Sequence, residues 1–452
     1  MGGLTQDIAA FVSALDPADL PDRCIETAST GMTDCVGVMI AGCDETAVGL
    51  VGATVQEGSG DDVAPAIPSG RRLAPADAAL VNGVAGHVLD FDDVGIDGHT
   101  SVVLTPAILA EGWHLNASGG DALAAYAAGY EAWALLDELE PGHLHDRGFH
   151  PTAVTGTLAV AAACARLHRL SAEQTADAIA IAASLASGVV ANFGTMTKSL
   201  HAGRAAQSGV IAARLAASGF TGSPDVLEHR TGFMRAHSAS GNPDVERGDW
   251  QLGKTWRMLR EGINVKRYPI CYATHRSIDA MLALVESHSL TPADVSEVMV
   301  HMGTTARLML RNHSPKTGLE AKFSLEFAMA SSLVAGRVGL AELTDEFVSR
   351  GDVVDAMKKV TCTTTDETMV SMPFAPADTV SVRLTDGSVI AHPPVAHARG
   401  SWDNPLTRAE LQAKFRDCCR GRLPDDQAET AFARLIDLKD VASLRDLPLT
   451  AS

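Results

Sequence analysis

Aromatic residues are scarce in this sequence. They make up 5% of the 452 residues, whereas 46% of the residues are hydrophobic, so the apolar side chains are mostly alanine, valine and leucine. Small apolar side chains allow helix backbones to approach one another closely. The composition therefore favours a core of closely packed helices, and the length allows two or three domains.

Paired cysteines are also missing. The eight cysteines form no C-x-x-C motif and show no regular spacing, and several lie within apolar helical patterns. Extracellular proteins stapled by disulfides carry regularly spaced cysteines. We therefore expect reduced, buried thiols in a cytoplasmic protein.

Positive charge is in short supply. Lysine and arginine number 36 against 55 aspartates and glutamates, which gives a net charge of −19 at pH 7. Such a charge argues against nucleic acid and membrane surfaces as partners. The longest uncharged run, residues 178–197, is rich in alanine, serine and glycine, so we predict a buried helix there. An anionic substrate would need a local positive patch.

Several familiar motifs are absent. The sequence has no G-x-G-x-x-G, P-loop or G-x-S-x-G pattern, and the glycines of residues 82–86 lie within a helical pattern. His143, His145, Asp146 and His150 offer metal-ligand chemistry, but they lie in a loop, and no H-x-x-x-H pair fixes them on one helix face. We therefore predict no metal site.

The periodicity of the sequence changes near Lys266. Residues 4–219 follow the helical period almost throughout, including predicted helices at 76–88, 101–113 and 172–190. Later segments have strand patterns: residues 295–302 and 379–385 alternate, and residues 360–364 are short and β-branched. Asp386-Gly387 predicts a type I′ hairpin turn into 388–391. The predicted fold is mainly α, with a large all-α helical domain (1–266), a smaller α+β domain (267–394) and C-terminal helices (395–452) that return to the first.

An acidic segment stands out between two predicted helices. Asp90-Phe91-Asp92-Asp93 follows the end of one helix, and Gly98-His99-Thr100-Ser101 opens the next. Acidic residues at a helix C-terminus oppose the helix dipole, so stability alone does not favour them there. The segment is either a solvated acidic turn or part of a functional site.

Two histidines and two lysines are the other candidates. His150 precedes a helix that begins at Pro151, where the helix dipole disfavours the imidazolium, so we expect a largely neutral ring. His99 stands similarly before Ser101, and either histidine could be a plain cap. Lys198 and Lys266 lie in separate basic segments that could together form a positive pocket.

Taken in order, these segments resemble the MmgE/PrpD family. The markers are D-F-D-D followed by G-H-x-S, G-F-H-P-T, T-K-S-L-H-A-G, and K-R-Y-P followed by A-T-H. The resemblance covers nearly the whole chain. It implies a helical domain with an α+β lid, a homodimer, a small anionic carboxylate as substrate, and no metal or organic cofactor.

The resemblance also implies a set of site residues. Those expected to be catalytic are Asp90, His99, His150, Lys198 and Lys266. Those expected to bind substrate are Asp93, Thr100, Ser101, Thr152, His201, Arg267 and Tyr268. We expect the lysines to hold carboxylates, the catalytic histidines to act as base and acid, and Asp90 to orient one imidazole.

The implied activity is that of a cofactor-independent lyase, which dehydrates or decarboxylates a small di- or tricarboxylate. The alternatives are an epimerase of an iminodisuccinate-like dicarboxylate and a carboxylate-binding protein without turnover. The sequence departs from the cis-aconitate decarboxylase pattern at Val94 (threonine in that enzyme), Thr100 (proline) and Phe327 (tyrosine in the lid helix). The resemblance therefore leaves the substrate open.

Overall fold

A computed structural model describes residues 3–368 and 375–451. The protein is mainly helical, and the chain divides into two compact units. Unit 1 is Met1–Val265 with Thr407–Ser452, and unit 2 is Lys266–Leu406.

Unit 1 is built from helices and one short antiparallel strand pair, as far as the described residues show. The strands, β1 and β2, are Ala64–Pro65 and Arg72–Leu73. The helices before unit 2 are α1 (Leu4–Ala14), α2 (Asp22–Gly42), α3 (Thr46–Gly52), α4 (Pro75–His87), α5 (Ser101–Leu115), α6 (Gly119–Glu138), α7 (Pro151–Leu167), α8 (Ala172–Leu185), α9 (Met196–Ala217), α10 (Phe233–His237) and α11 (Met258–Glu261).

The centre of unit 1 is a group of three helices, α4, α7 and α9, in which α9 packs against both others. All 17 residues of α7 are buried. Glycines allow the closest approach. A Cβ atom on Gly83 would lie 2.8 Å from the Cα of Gly203, and one on Gly203 would lie 2.4 Å from the carbonyl oxygen of Leu80. Residues at the ends of these helices are thereby brought together.

Unit 2 combines short helices with a four-stranded sheet. The strands are β3 (Val295–Gly303), β4 (Val360–Thr365), β5 (Thr379–Leu384) and β6 (Val389–Ala391), and the sheet order is β4-β3-β5-β6. β3 pairs with β4 in parallel, and the other pairs are antiparallel. The helices are α12 (His275–His288), α13 (Thr304–Met309), α14 (Gly318–Ala321), α15 (Leu325–Ala335), α16 (Asp345–Val348) and α17 (Gly351–Met357).

The hairpin between β5 and β6 does not have the predicted type I′ turn. That turn needs two consecutive residues with positive φ, but at Asp386-Gly387 only Gly387 has one (87°). The N–H of Gly387 donates to the oxygen of Leu384 (3.1 Å), and the N–H of Leu384 donates to the oxygen of Ser388 (2.8 Å). The connection is a three-residue loop that ends in a left-handed glycine.

The chain returns to unit 1 later than predicted. Residues 395–406 belong to unit 2, because Val395 and Asp378 exchange both backbone hydrogen bonds, and the N–H of Arg399 donates to Asp279 (2.7 Å). Unit 1 is completed by α18 (Arg408–Cys419) and α19 (Asp425–Ile436), which both pack against α2.

The uncharged run at 178–197 is not one helix. It contains the end of α8 at Leu185, a loop with Gly188 and Gly194 at positive φ (152° and 83°), and the start of α9 at Met196. Within the described residues, no single helix combines the length and apolar character that a membrane span requires; α2 and α3, bent by 89°, meet the test only as a pair.

Candidate active site

The acidic segment forms a strained turn between α4 and α5. Asp90, Ile96 and Asp97 have positive φ values of 54°, 47° and 55°. A β-branched residue rarely adopts a positive φ, so the surrounding structure must hold Ile96 in this conformation. Val94 and Asn264 exchange two backbone hydrogen bonds (3.0 and 2.8 Å), which tie the turn to the end of unit 1's first segment.

Asp92 lies between two imidazoles. Its Oδ2 atom is 2.9 Å from Nδ1 of His87, the last residue of α4, and 2.9 Å from Nδ1 of His99. The carboxylate and the His87 ring are fully buried. Burial alone would raise the pKa of Asp92. The two imidazoles outweigh this effect and hold the pKa well below its usual value. Burial lowers the pKa of His87 to about 4.

His150 stands beside this group as the N-cap of α7, as predicted. Its ring centroid is 6.0 Å from that of His87, and its Nδ1 is 3.1 Å from Nδ1 of His201 on α9. Burial is the main cause that lowers the pKa of His150, and the positive charge of Lys198 adds to it. The ring is therefore neutral, with burial rather than the helix dipole as the main reason.

Lys198 lies in the first turn of α9 and not at the end of α8. A cation in that position is opposed by the helix dipole. Its Nζ is 2.8 Å from Oδ1 of Asp90 and 5.6 Å from the ring centroid of Phe193. Phe193 also makes an edge contact with His150 (4.8 Å). Asp90 thus pairs with the lysine, and Asp92, not Asp90 as expected, contacts the imidazoles.

Two residues expected to bind substrate lie beneath the turn instead. Asp93 and Ser101 are fully buried, and the Ser101 hydroxyl donates to Asp93 (2.7 Å) and lies 2.7 Å from the Tyr126 hydroxyl. Burial raises the pKa of Asp93 to about 8. These groups are bonded to one another and support the turn, and their expected contact with substrate stays a prediction.

Thr152 and Thr100 are also fully buried. The Thr152 hydroxyl accepts the N–H of His99 (3.1 Å), and the Thr100 hydroxyl lies 3.5 Å from the oxygen of Gly95. Both threonines therefore hold the backbone around His99, and their expected contact with substrate stays a prediction.

The three candidates of unit 2 differ in exposure. Lys266 is buried and Arg267 is exposed, and their carboxylate-binding role stays a prediction. Tyr268 belongs to the hydrophobic core of unit 2, and its hydroxyl donates to Asp279 (2.7 Å). Tyr268 therefore supports this core, and its expected contact with substrate stays a prediction.

The sequence analysis missed His87, Asp92 and Phe193. The spacing of His87 and Asp92 was a usable signal, because a carboxylate five residues after a histidine can fold back on it across a helix end. The ligand atoms of His87, Asp92 and His99 lie within 4.8 Å of one another, so these residues could hold a metal ion. The 2.9 Å separations between the two Nδ1 atoms and Oδ2 of Asp92 are, however, ordinary hydrogen-bond distances.

Comparison with known proteins identifies the family of this chain. The MmgE/PrpD N-terminal domain model matches residues 6–246, and the MmgE/PrpD C-terminal domain model matches residues 268–438. The chain belongs to the MmgE/PrpD family. These two matches leave out only the ends of the chain and the residues between the two models.

Several proteins similar to this chain carry the name cis-aconitate decarboxylase. Cis-aconitate decarboxylase of Homo sapiens is 28% identical over 450 residues, covering 97% of this chain and 92% of that protein. The Mus musculus enzyme of the same name is 31% identical (83% and 79% covered), and that of Aspergillus terreus is 26% identical (98% and 96% covered).

The interpretation of Phe327 as a departure from the decarboxylase pattern also needs a correction. It stands where a tyrosine was expected in a decarboxylase, but its side chain is fully buried in the core of unit 2, 6.3 Å from Phe347 between ring centroids. A phenol directed into this core would not carry protons for a substrate. The residue therefore gives no argument against decarboxylation.

Proposed function

We propose that this MmgE/PrpD protein is a cofactor-independent lyase that decarboxylates or dehydrates a small di- or tricarboxylate, with cis-aconitate as the first substrate to test. One observation carries the proposal: His99, the neutral His150 and Lys198 lie together in unit 1, with Nδ1 of His99 2.9 Å from Asp92. The names of the relatives support the decarboxylation of cis-aconitate in particular.

Each group has a chemical task in such a reaction. Decarboxylation breaks the bond from carbon to a carboxylate, leaves the electron pair on carbon, and requires a proton to be returned there. Lys198 stabilises the negative charge that develops on the remaining carboxylates. His99 takes up a proton on Nε2 and donates it to that carbon, because the nearby Asp92 charge stabilises the imidazolium that forms in between. His150, kept neutral by burial, suits hydrogen bonding or proton abstraction.

The test is a reaction followed by proton NMR. The purified protein is incubated with cis-aconitate and with a panel of small polycarboxylates, and a new product that has lost CO₂ or water supports the proposal. A melting temperature raised by these compounds without any turnover would mean a carboxylate-binding protein instead.

His150→Gln is the sharpest single variant. A positioned acid or base contributes about 10²–10⁴-fold to rate, so we expect kcat to fall by that factor while KM changes little. The thermal unfolding curve checks that the fold is intact. His237→Gln is the control, because His237 is another partly buried histidine of unit 1 that contacts Phe233 and Phe149 and none of the residues proposed for catalysis. A near-normal rate in His150→Gln would remove this residue from the mechanism.

Epimerisation is the second candidate, because His99 and His150 are two separate imidazoles that could serve the two faces of one carbon. The same incubation in D₂O distinguishes the two reactions. Deuterium in recovered, inverted substrate without a new alkene would favour the epimerase, whereas loss of CO₂ or water favours the lyase.

The remaining expectations rest on family resemblance. They are that unit 2 acts as a lid, that Lys266 and Arg267 bind carboxylate, that the protein is a cytoplasmic homodimer, and that it needs no cofactor. Lys266→Met should raise KM, and light scattering after size-exclusion chromatography should give twice the mass of one chain.

A further inference from the structure

His87 stands apart from the groups used in the proposed reaction. It is the last residue of α4, its ring is fully buried, and burial keeps it neutral. Its Nδ1 is hydrogen-bonded to Asp92. Among the described residues, neither its Nε2 nor Oδ1 of Asp92 has a hydrogen-bond partner. The contacts of Asp92 are therefore made through its other oxygen, Oδ2.

We propose that His87 and Asp92 are positioning residues that fix the orientation and tautomer of His99. Both imidazoles approach the same Oδ2 atom at 2.9 Å through Nδ1. An ionised carboxylate only accepts hydrogen bonds, so the Nδ1 of His87 that is bonded to Asp92 carries a proton. The same negative charge, 2.9 Å from Nδ1 of His99, favours a proton on that nitrogen as well. The proton on Nδ1 leaves Nε2 of neutral His99, on the far side of the ring, as the nitrogen that exchanges protons with a substrate.

The role of His87 follows from the burial of Asp92. A carboxylate without solvent contact is costly unless it is paired. If His87 were replaced by an apolar residue, Asp92 would keep only His99 as its close imidazole partner. The carboxyl group would then bind a proton more readily and could donate to His99, which would reverse the tautomer of that ring.

The geometry around the pair supports a fixed arrangement. The rings of His87 and His99 meet edge to face with centroids 4.5 Å apart. His99 is also held through its backbone N–H by Thr152. Gly98 permits this contact, since a Cβ atom there would lie 2.8 Å from the Trp133 ring. The His99 ring therefore has little freedom apart from the choice of protonated nitrogen.

The first measurement requires no substrate. In protein labelled with ¹⁵N-histidine, we expect His99 to show a protonated, pyrrole-type Nδ1 and an unprotonated, pyridine-type Nε2. His87→Leu should abolish this pattern. His87→Asn should keep it, because the asparagine amide can donate from about the position of Nδ1. This NMR test of the His99 tautomer does not depend on whether the proposed lyase activity is found. The role of that tautomer in catalysis rests on the proposed activity.

The second measurement is kinetic. Loss of a group that orients an active residue typically costs 10- to 100-fold in activity, so we expect His87→Leu to lower kcat by that factor with little change in KM. His87→Asn should restore most of the rate. Asp92→Asn should lower kcat at least 100-fold with the opposite His99 tautomer, and it provides the test if His87→Leu does not fold.

A matched control lies elsewhere in unit 1. His168 contacts the buried carboxylate of Glu111 (2.7 Å) far along the chain from the turn. His168→Leu should lower the melting temperature but leave kcat and the His99 signals unchanged. An unchanged His99 tautomer in both His87→Leu and Asp92→Asn would overturn the proposal. So would a stoichiometric metal ion whose removal by EDTA abolishes activity, because the three residues would then be ligands.

Discussion

At the scale of single residues, the most testable feature is the buried proton on Asp93. Its pKa is raised from 3.8 to about 8, chiefly by burial. Between these values the folded protein keeps a proton that the unfolded chain has lost, so the stability due to this group falls as pH rises, by up to about 1.4 kcal/mol per pH unit. Asp93→Asn cannot titrate. We expect the melting temperature of Asp93→Asn, relative to that of the wild type, to rise steadily from pH 5 to pH 8.

The control for this measurement is an aspartate whose pKa is shifted in the opposite direction. Asp386 is exposed in the hairpin of unit 2, and hydrogen bonds from Ser388 lower its pKa. Asp386→Asn should therefore cost a little stability above about pH 4 and give no gain at pH 8. A pH-independent difference for Asp93→Asn would show that Asp93 is not protonated in the folded protein.

The residue scale also shows what the sequence could not resolve. The motifs around His99, His150 and Lys198 predicted that these residues belong to one site, and unit 1 brings all three together. The partners of Asp90, Asp92 and Asp93 were not predictable, because they depend on a left-handed residue at Asp90. That conformation sends three neighbouring carboxylates to a lysine, an imidazole pair and a buried serine.

At the scale of elements, the contact between α4 and α9 governs the site. We expect Gly203→Ala to destabilise the protein by about 1–3 kcal/mol, because its Cβ would lie 2.4 Å from a backbone oxygen of α4 and 2.6 Å from Val84. We also expect kcat to fall, since α4 carries His87 and α9 carries Lys198. Chemical denaturation and the NMR assay measure the two effects.

Gly49→Ala is the matched control for that variant. Gly49 lies within α3, and nothing lies within 4 Å of a Cβ placed there. Alanine at an open helical position should raise stability by about 0.5–1 kcal/mol and leave kcat unchanged. If Gly203→Ala behaved in the same way, the close approach of α4 and α9 would have no part in building the site.

Elements with a strong period were predictable. Alternating or β-branched residues placed all four strands of unit 2 within one or two residues of their observed ends, and the helix predicted from residue 172 begins where α8 does. The end of α8 was not predictable, because its last residues and the following loop share the same small, uncharged side chains. Positive φ at Gly188 decides the break, and periodicity does not show it.

At the scale of the whole molecule, the chain returns to unit 1 and places Lys414 of α18 beneath the acidic turn. Its Nζ is 2.6 Å from Asp34 of α2, donates to the backbone oxygen of Phe91 (2.9 Å), and lies 3.9 Å from the centre of the Phe91 ring. Lys414 and Phe91 are 323 residues apart. Local sequence patterns carry no information on such a contact, so this support of the site was not predicted.

Lys414 gives the last prediction. Both side chains of the Lys414–Asp34 pair are almost fully buried. Lys414→Met should lower the free energy of unfolding by about 3–5 kcal/mol, because the buried Asp34 carboxylate would lose its lysine partner. Lys414→Met combined with Asp34→Asn should recover part of this loss, since neither of these two positions then carries a charge. Arg422→Met is the control, because the Arg422–Asp44 pair is 3.0 Å long with a largely exposed aspartate and should contribute about 1 kcal/mol or less. The free energies of unfolding are measured by denaturant unfolding. Equal losses in Lys414→Met and Arg422→Met would mean that α18 does not hold the turn through the charge of Lys414.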